Sequence, residues 1–476
     1  MKSAIVCAAA LAALSIFGVE KDAEGFVSLF NGKDLTGWVG ATSSYGVEIR
    51  KEKMAGTGEV KEFAVLACQP GKGSGGNLVT EKQFADFILR FEFCMPENGN
   101  NGLGIRMPNP NVDSAYHGMC ELQLLDDGGS EYYDKTAKKD KLKPYQYTGS
   151  VYGIVPARRD NFDKQIWGKD KNFTGGGSYV RRPGMWNFEE VRVIGSRIQV
   201  ILNGVMIVDA DVAGFKGDGT DTPDGRKHPG LHRTKGHIGW LGHGHHVMWR
   251  NIRIKEVTAD YKVGSDTVKP CPAGFTQLFD GQSLANWKGV TTQEGFDNPV
   301  VRQKATAEKR AQMQAVADKG MREHWFVRDG ALFFDGFKGG YSMATAKDYK
   351  DFEMWVDWRI LSVQGDSGLY LRGAPQVQIW DAHNQWGIGS GGLYNNQKNP
   401  SRALKIADRL PGSWNTFHVI MKGERVTVEL NGEKVVDDTV LENYWNRKQP
   451  IFPVEQIELQ CHGDPLEFKN IFIREL

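Results

Sequence analysis

The chain has 476 residues, a formal net charge of +1 and 40% hydrophobic residues, with 57 glycines and 11% aromatics. This length suits two domains of roughly 200 residues better than a single core, and a near-neutral balance gives no basic field to hold a phosphate backbone, so nucleic acid is not an expected partner. Many glycines and aromatics without long amphipathic helical patterns point to sheet and turns.

In chain order, the first feature is an export signal over residues 1–23: Lys2, an apolar Ala-rich run from Ala4 to Phe17, then polar Glu20 to Asp22. The run is too short for a good membrane span and has the flanks of a secretory leader, so the expected location is periplasmic or secreted. Cys7 lies inside the run rather than at its end, which argues against lipidation. No later segment is apolar enough for a membrane span. Beyond the leader stand Cys68, Cys94, Cys120, Cys271 and Cys461, an odd set without a CxxC pair, so a thiolate zinc site is not indicated.

A first domain is expected over 24–258. It opens with GFVSLFNGKDLTGW, and Phe87 to Phe93 alternates as a strand does. NGLGIR and ELQLLDD follow, then QYTGSVYG and PGMWN. Arg197 to Leu202 alternates, Asn203-Gly204 turns the chain, and Val205 to Val208 resumes, which is a hairpin signal because both turn residues accept positive φ. The domain closes on GHIGWLGHG and WRNIRIKE. Residues 259–272 are polar and carry Pro270 and Pro272, as a linker does.

The second domain, 273–476, repeats the first in the same order. GFTQLFDGQSLANW answers the opening, Pro411 to Val440 matches Pro183 to Val212 without a gap, and HGDPLEFKNIFIREL answers the close. Asn431-Gly432 repeats the hairpin turn, and Glu353 to Trp358 repeats the alternation. Ala305 to Lys319 is rich in helix formers and has no counterpart in the first half, so it reads as a helical insertion. Duplicated sets of short strands predict an all-β protein with an antiparallel sandwich in each half.

Jointly and in this order, the quoted blocks resemble the 3-keto-disaccharide hydrolase family over nearly all of Gly25 to Glu256, with a more divergent second copy over Gly274 to Leu476. The resemblance implies two tandem concanavalin A-like jelly-roll domains and a small-molecule carbohydrate substrate oxidised at C3 of a glucose ring. It implies a site with a base for the C2 proton, a donor or cation for the enolate oxygen and an acid for the leaving group, with elimination followed by hydration.

Candidate residues come from the strands that carry the resemblance. Glu121 and Gln123 share one strand face, with Asp126 at the strand end. Arg106 ends NGLGIR, where Gly102 and Gly104 would leave that face bare. Glu121 as base, Arg106 as enolate holder and His243, between two glycines, as base or acid form the expected catalytic set. The plain alternatives are a cross-strand Arg106–Glu121 ion pair and a turn histidine. Tyr152 would stack on sugar or donate its hydroxyl, and Gln123 and Asp126 would bind it. In the second half Arg372, Gln378, Asp381, Tyr394 and His462 hold the matching places, but Gln376 stands opposite Glu121 and is no base. His383 could substitute, yet the simpler expectation is one catalytic domain and one degenerate or binding copy. Trp186-Asn187 and Trp414-Asn415 read as structural pairs, with Trp in the core. Asp218, Asp221, Asp224, His228, His232 and His237, with His245 and His246 beyond, could take a divalent metal ion, although their spacing matches no ligand pattern and a solvated loop explains them as well. The competing functional reading is a non-catalytic carbohydrate-binding protein, since jelly rolls host both.

Overall fold

The computed structural model describes residues 20–69, 75–111, 115–134, 136–137, 139–159 and 178–476. The leader's apolar run lies outside them. The polar and apolar periodicity resolves into two antiparallel sandwiches. In the first, an eight-stranded sheet that includes Phe87–Cys94, Trp186–Ile194 and Met248–Glu256 packs on a five-stranded sheet. The second repeats this arrangement, and the computed fold is all-β in both halves.

Each sandwich fills its interior with alternating apolar side chains. Phe87, Leu89, Phe91 and Phe93 meet Leu103, Ile105, Leu122, Leu124 and Trp240 in the first core. Met354, Val356 and Trp358 meet Leu369, Leu371, Val377 and Ile379 in the second. The Asn203-Gly204 turn has φ of 47° and 89°, and Asn431-Gly432 has 55° and 83°, so both hairpins turn through the left-handed region as the residue types require. The strand after Asn203-Gly204 runs on to Asp211, past a bulge at Val200/Ile201. The inserted helix is two helices, α1 (Pro299–Lys304) and α2 (Ala307–His324), because Thr306 caps a fresh start with its hydroxyl accepting the Lys309 N–H. Glycine packing seats α2 on strand Trp287–Thr291: a side chain at Gly289 would meet the Ala317 backbone at 2.1 Å.

The strand Phe87–Cys94 is buried on both faces rather than one. Its outward residues face the second domain. Arg90 donates to Glu24 and Glu190, Glu24 accepts the Trp414 N–H at 2.7 Å, and Arg192 donates to Asp329 at 2.8 Å. Arg359 and Glu467 of the second domain complete the layer, 2.5 Å apart, with Arg359 3.7 Å from Glu190. The 259–272 segment docks too, with Lys269 donating to Asp357 at 2.8 Å. Trp186 and Trp414 are buried as expected, Trp186 in a small apolar cluster with Phe188, Met248 and Val363 rather than in the main core of its sandwich. Each lies on an outward face under a cation, Arg250 at 3.9 Å and Lys469 at 4.0 Å. All five cysteines named above carry free thiols. Among the described residues no helix is long and apolar enough to cross a membrane.

Candidate active site

The site grows from strands Asn100–Met107 and Cys120–Leu125 of the five-stranded sheet. They pair with Gly102 opposite Gln123 and Gly104 opposite Glu121. Leu103, Ile105, Leu122 and Leu124 enter the core, so the alternate residues look outward. That face is not bare. The Glu121 carboxylate lies over Gly102, where an added Cβ would stand 2.6 Å from its Oε1, and Leu241 and Met107 cover Gly104. Glu121, Gln123, Asn100, Tyr116, Tyr152 and His243 line a cavity of about 510 Å³.

Glu121 is only 9% exposed, and burial pushes its carboxyl up to about 7. Among the described residues no cation offsets that burial. The Arg106–Glu121 ion pair is therefore absent, and a carboxyl divided between its two protonation states near neutrality faces the cavity. Gln123 uses its amide oxygen to accept the Leu124 N–H at 3.2 Å, which leaves its NH₂ as the group it offers. The Asn100 amide oxygen is buried with no partner among the described residues. His243 stands exposed at the rim, and partial desolvation of its ring, then the nearby His245, lower its pKa. Tyr152 accepts from Gln146 at 3.2 Å and meets the ring of Tyr116 edge-on. Burial, then Tyr152, hold the Tyr116 phenol well above its ordinary value. Behind Tyr116 a buried His228–Asp224 pair, 3.0 Å apart, sets the imidazole against its ring, and Arg226 lies over the ring at 4.6 Å.

Arg106 is not in the cavity. A bulge between the Gly104 and Met107 pairings puts an extra residue into the strand, Arg106 takes φ of +54°, and its guanidinium turns to the Gly195 carbonyl and lies 3.8 Å from Asp86. Asp86 in turn accepts the Gly195 N–H. Arg372 repeats this lock and is no ligand either: φ is +48°, it donates to the Gly423 carbonyl, and Asp351 accepts the Gly423 N–H. Asp126 accepts the Asn98 N–H at 2.9 Å and Asp381 the Gln364 N–H at 3.0 Å, so both acids hold turns instead of facing sugar. Asp381 also accepts from the backbone of His383 and Asn384, and the His383 ring is bonded to the Asp408 carbonyl, so His383 replaces no base. Asn187 and Asn415 close their turns in the same way, each accepting a backbone N–H and the amide of the turn asparagine. Gln378, Tyr394 and His462 do lie on the second domain's matching face, where Gln378 donates to Asp366.

The acidic and histidine-rich loop gathers no ligand set. Asp218 caps Thr220, Asp221 accepts the Lys216 N–H, Asp224 pairs with His228, His237 bonds the Thr80 carbonyl and His246 reaches Glu48. Among the described residues no three His, Cys, Asp or Glu side chains come together for a metal.

Tyr116, Asn100 and Leu241 line the cavity without having been singled out in the sequence. A signal for Tyr116 existed. The two halves differ in the link between the paired strands: residues 108–119 in the first domain against Arg372-Gly373 in the second. That extra segment carries Pro110, Asn111, Ala115 and Tyr116 to the cavity.

Paired jelly rolls, the first with a cavity opened on a sheet face around a buried carboxyl, define a class of sandwich proteins with room for a small ligand. Residues 25–255 and 274–474 match the 3-keto-alpha-glucoside-1,2-lyase-like domain, and the chain belongs to that family, with two copies of its domain. A curated 3-keto-disaccharide hydrolase of Bacteroides thetaiotaomicron is 25% identical over 249 residues, covering 49% of this chain and 79% of that protein. Two crystal structures from Parabacteroides distasonis, titled as candidate glycosyl hydrolases, are 23% and 24% identical. They cover 49% of this chain and 99% and 95% of their own, with TM-scores of 0.36 and 0.34.

Proposed function

We propose that the first domain cleaves 3-keto-glucosides, with Glu121 as the base. The observation that carries this reading is the Glu121 carboxyl, unpaired by any cation among the described residues, pushed up to about 7 and facing the cavity. A ketone at C3 acidifies the hydrogen on C2, so a carboxylate with a pKa near 7 is matched to the task. Glu121 takes that proton, and the C2–H electron pair becomes the enediolate. The Gln123 and Asn100 amides and the tyrosine hydroxyls are the lining groups able to donate to its oxygens, the part the displaced Arg106 does not play. The C1–O bond then breaks as C3=O re-forms and C1=C2 appears. The leaving oxygen takes a proton from Glu121, now protonated, or from His243. Water adding across C1=C2 gives net hydrolysis.

The membership of the family supports the substrate class, and the relative's name supports the hydrolytic outcome. Export to the periplasm or beyond belongs to the same proposal and rests on the leader-like residues 1–23. The test is to mix purified protein with a 3-keto-glucoside and follow ultraviolet absorbance for a transient enone, with free 3-keto-glucose as the end product. Turnover that is lost in Glu121→Gln is expected. Turnover unchanged in that variant, or none in the wild-type chain, overturns the proposal.

A further inference from the structure

The wall of the cavity around Glu121 carries a chain of hydrogen-bonding side chains that the second domain lacks. Gln146 accepts the Lys143 N–H with its amide oxygen at 2.9 Å, which leaves its NH₂ to donate to the Tyr152 hydroxyl at 3.2 Å. Tyr152 is set beside the base, because its N–H donates to the Glu121 carbonyl at 2.9 Å. Its hydroxyl is bonded in turn to that of Tyr116, which the short helix Ala115–His117 brings to the cavity. In the second half Tyr394 answers Tyr152, but Ile388 stands at the place of Gln146, and the link Arg372-Gly373 carries no counterpart of Tyr116. The full chain occurs in the domain that has Glu121, and it is broken in the domain that has Gln376 instead.

The Tyr116 ring is backed by a buried acid–imidazole pair to which the reaction steps above give no part. Asp224 and His228 lie 3.0 Å apart, with side chains 3% and 2% exposed. The His228 imidazole packs edge-on against the Tyr116 ring at 5.3 Å, and Arg226 lies over that ring at 4.6 Å. The same loop is fastened to the turn that carries Tyr152. The Asp224 N–H donates to the Gly153 carbonyl at 3.3 Å, and a Cβ on Gly153 would stand 2.2 Å from Asp224 Oδ2 and 2.7 Å from the imidazole. With its ring held by His228 and Arg226 and its hydroxyl by Tyr152, the phenol is preorganised rather than free to turn.

We infer that Tyr116 donates the hydrogen bond that holds the C3 enolate oxygen, and that Asp224, Arg226 and His228 are its positioning residues. The inference rests on the enzyme reading and selects one donor from the groups that line the cavity. Hydrogen bonds then run one way, from Gln146 to Tyr152, from Tyr152 to Tyr116 and from Tyr116 to the substrate, each donor strengthened by the one behind it. A phenol suits an enolate better than a side-chain amide does, since O–H···O⁻ bonds are shorter than N–H···O bonds. As Glu121 removes the C2 proton, the C2–H electron pair forms C2=C3 and the C3=O pair moves onto the oxygen that Tyr116 holds. No proton leaves Tyr116, because burial, then Tyr152, keep its phenol protonated while Glu121 is ionised. When the C1–O bond breaks, C3=O re-forms and the hydrogen bond to Tyr116 weakens.

Exchange of the C2 proton of free 3-keto-glucose in deuterated buffer, followed by proton NMR with the full chain, is the test, since it needs a base and an enolate holder but no leaving group. The wild-type chain is expected to catalyse exchange and Glu121→Gln to abolish it. Tyr116→Phe keeps the ring and its packing, with folding checked by circular dichroism. It is expected to slow exchange roughly 10²-fold, to lower kcat for a 3-keto-glucoside in parallel with KM changed only a few-fold, and to leave the rise with pH through about 7 in place. Arg226→Gln is expected to slow exchange several-fold, with Arg226→Lys restoring it, and to cost nothing further in the Tyr116→Phe chain, because a positioning residue acts only through the group it positions. Exchange as fast in Tyr116→Phe as in the wild type overturns the role of Tyr116, and an Arg226→Gln loss that persists in Tyr116→Phe overturns the positioning role; both leave the enzyme reading standing. No exchange by the wild-type chain, or exchange that survives Glu121→Gln, overturns the enzyme reading and the inference together.

Discussion

Burying a carboxyl without a cation raises its pKa at a cost in stability, and Glu121 and Glu189 incur that cost in different surroundings. Glu189 shares the inward face of its strand with Val191 and Val193. Burial pushes it up to about 8, and neither oxygen has a partner among the described residues. Phe417 occupies its place in the second core. Both folded-state values lie above the ordinary 4.5, so the cost of each group begins as pH passes 4.5, where the unfolded chain ionises, and is complete once pH has risen through the folded value. Glu189→Leu is therefore expected to raise stability by about 1–3 kcal/mol at neutral pH, and by more at pH 9 than at pH 5, as thermal melts across that range would show. Glu121 differs because it faces a cavity. Glu121→Gln is expected to lower kcat by roughly 10²–10⁴-fold while raising the melting temperature above pH 7. The wild-type kcat/KM should climb with pH and level off above about 7, since the base must be ionised. A profile flat from pH 5 to 9 would remove Glu121 as the base.

At the scale of elements, the strand pair that holds Glu121 depends on one absent side chain. A Cβ on residue 102 would stand 2.6 Å from Glu121 Oε1, so Gly102→Ala is expected to push the carboxylate off the sheet and cut turnover at least tenfold, with a smaller change in melting temperature. Arg106 makes the opposite case. Period-two alternation places it beside Gly104 on the site face, and only the bulge, which is set by pairing with a strand more than a hundred residues away, turns it to Gly195. Arg106→Gln is expected to cost about 1–3 kcal/mol of stability and to leave kcat/KM of the folded protein within a few-fold, measured by denaturant unfolding beside turnover. The repeats explain which readings survived. Arg106/Arg372, Asp126/Asp381 and Asn187/Asn415 are identical in both halves because the same turns must be held in both sandwiches. Glu121 differs from Gln376 because chemistry, unlike turn geometry, is not needed twice. Identity between repeats does not by itself mark a functional residue, since Gln123, Tyr152 and His243 of the cavity also recur as Gln378, Tyr394 and His462, whereas Glu121 and Tyr116 belong to the first domain alone.

At the scale of the molecule, the two sandwiches are joined through charges. Burial alone would raise the Glu190 carboxyl, but Arg192, Arg90 and Arg359 outweigh it and hold it well below the ordinary carboxylate range. Removing one member leaves the others buried and unpaired, so Glu190→Ala is expected to destabilise the whole chain by about 3–5 kcal/mol. Calorimetry should show a single transition in the wild-type chain, and two independent transitions would contradict a coupled interface. The same layer explains why a strand such as Phe87–Cys94 carries Arg90 and Glu92 yet is buried throughout: a charge on its outward face reads as solvent-exposed until the partner domain covers it. Duplication, all-β character, the hairpin turns and the Glu121 strand were determined by the sequence itself, because side-chain periodicity and turn chemistry act over a few residues. The exclusion of Arg106, the cavity wall, the burial of Glu121 away from every described cation and the docking of the two domains were decided only in three dimensions, because each depends on contacts between segments far apart in the chain.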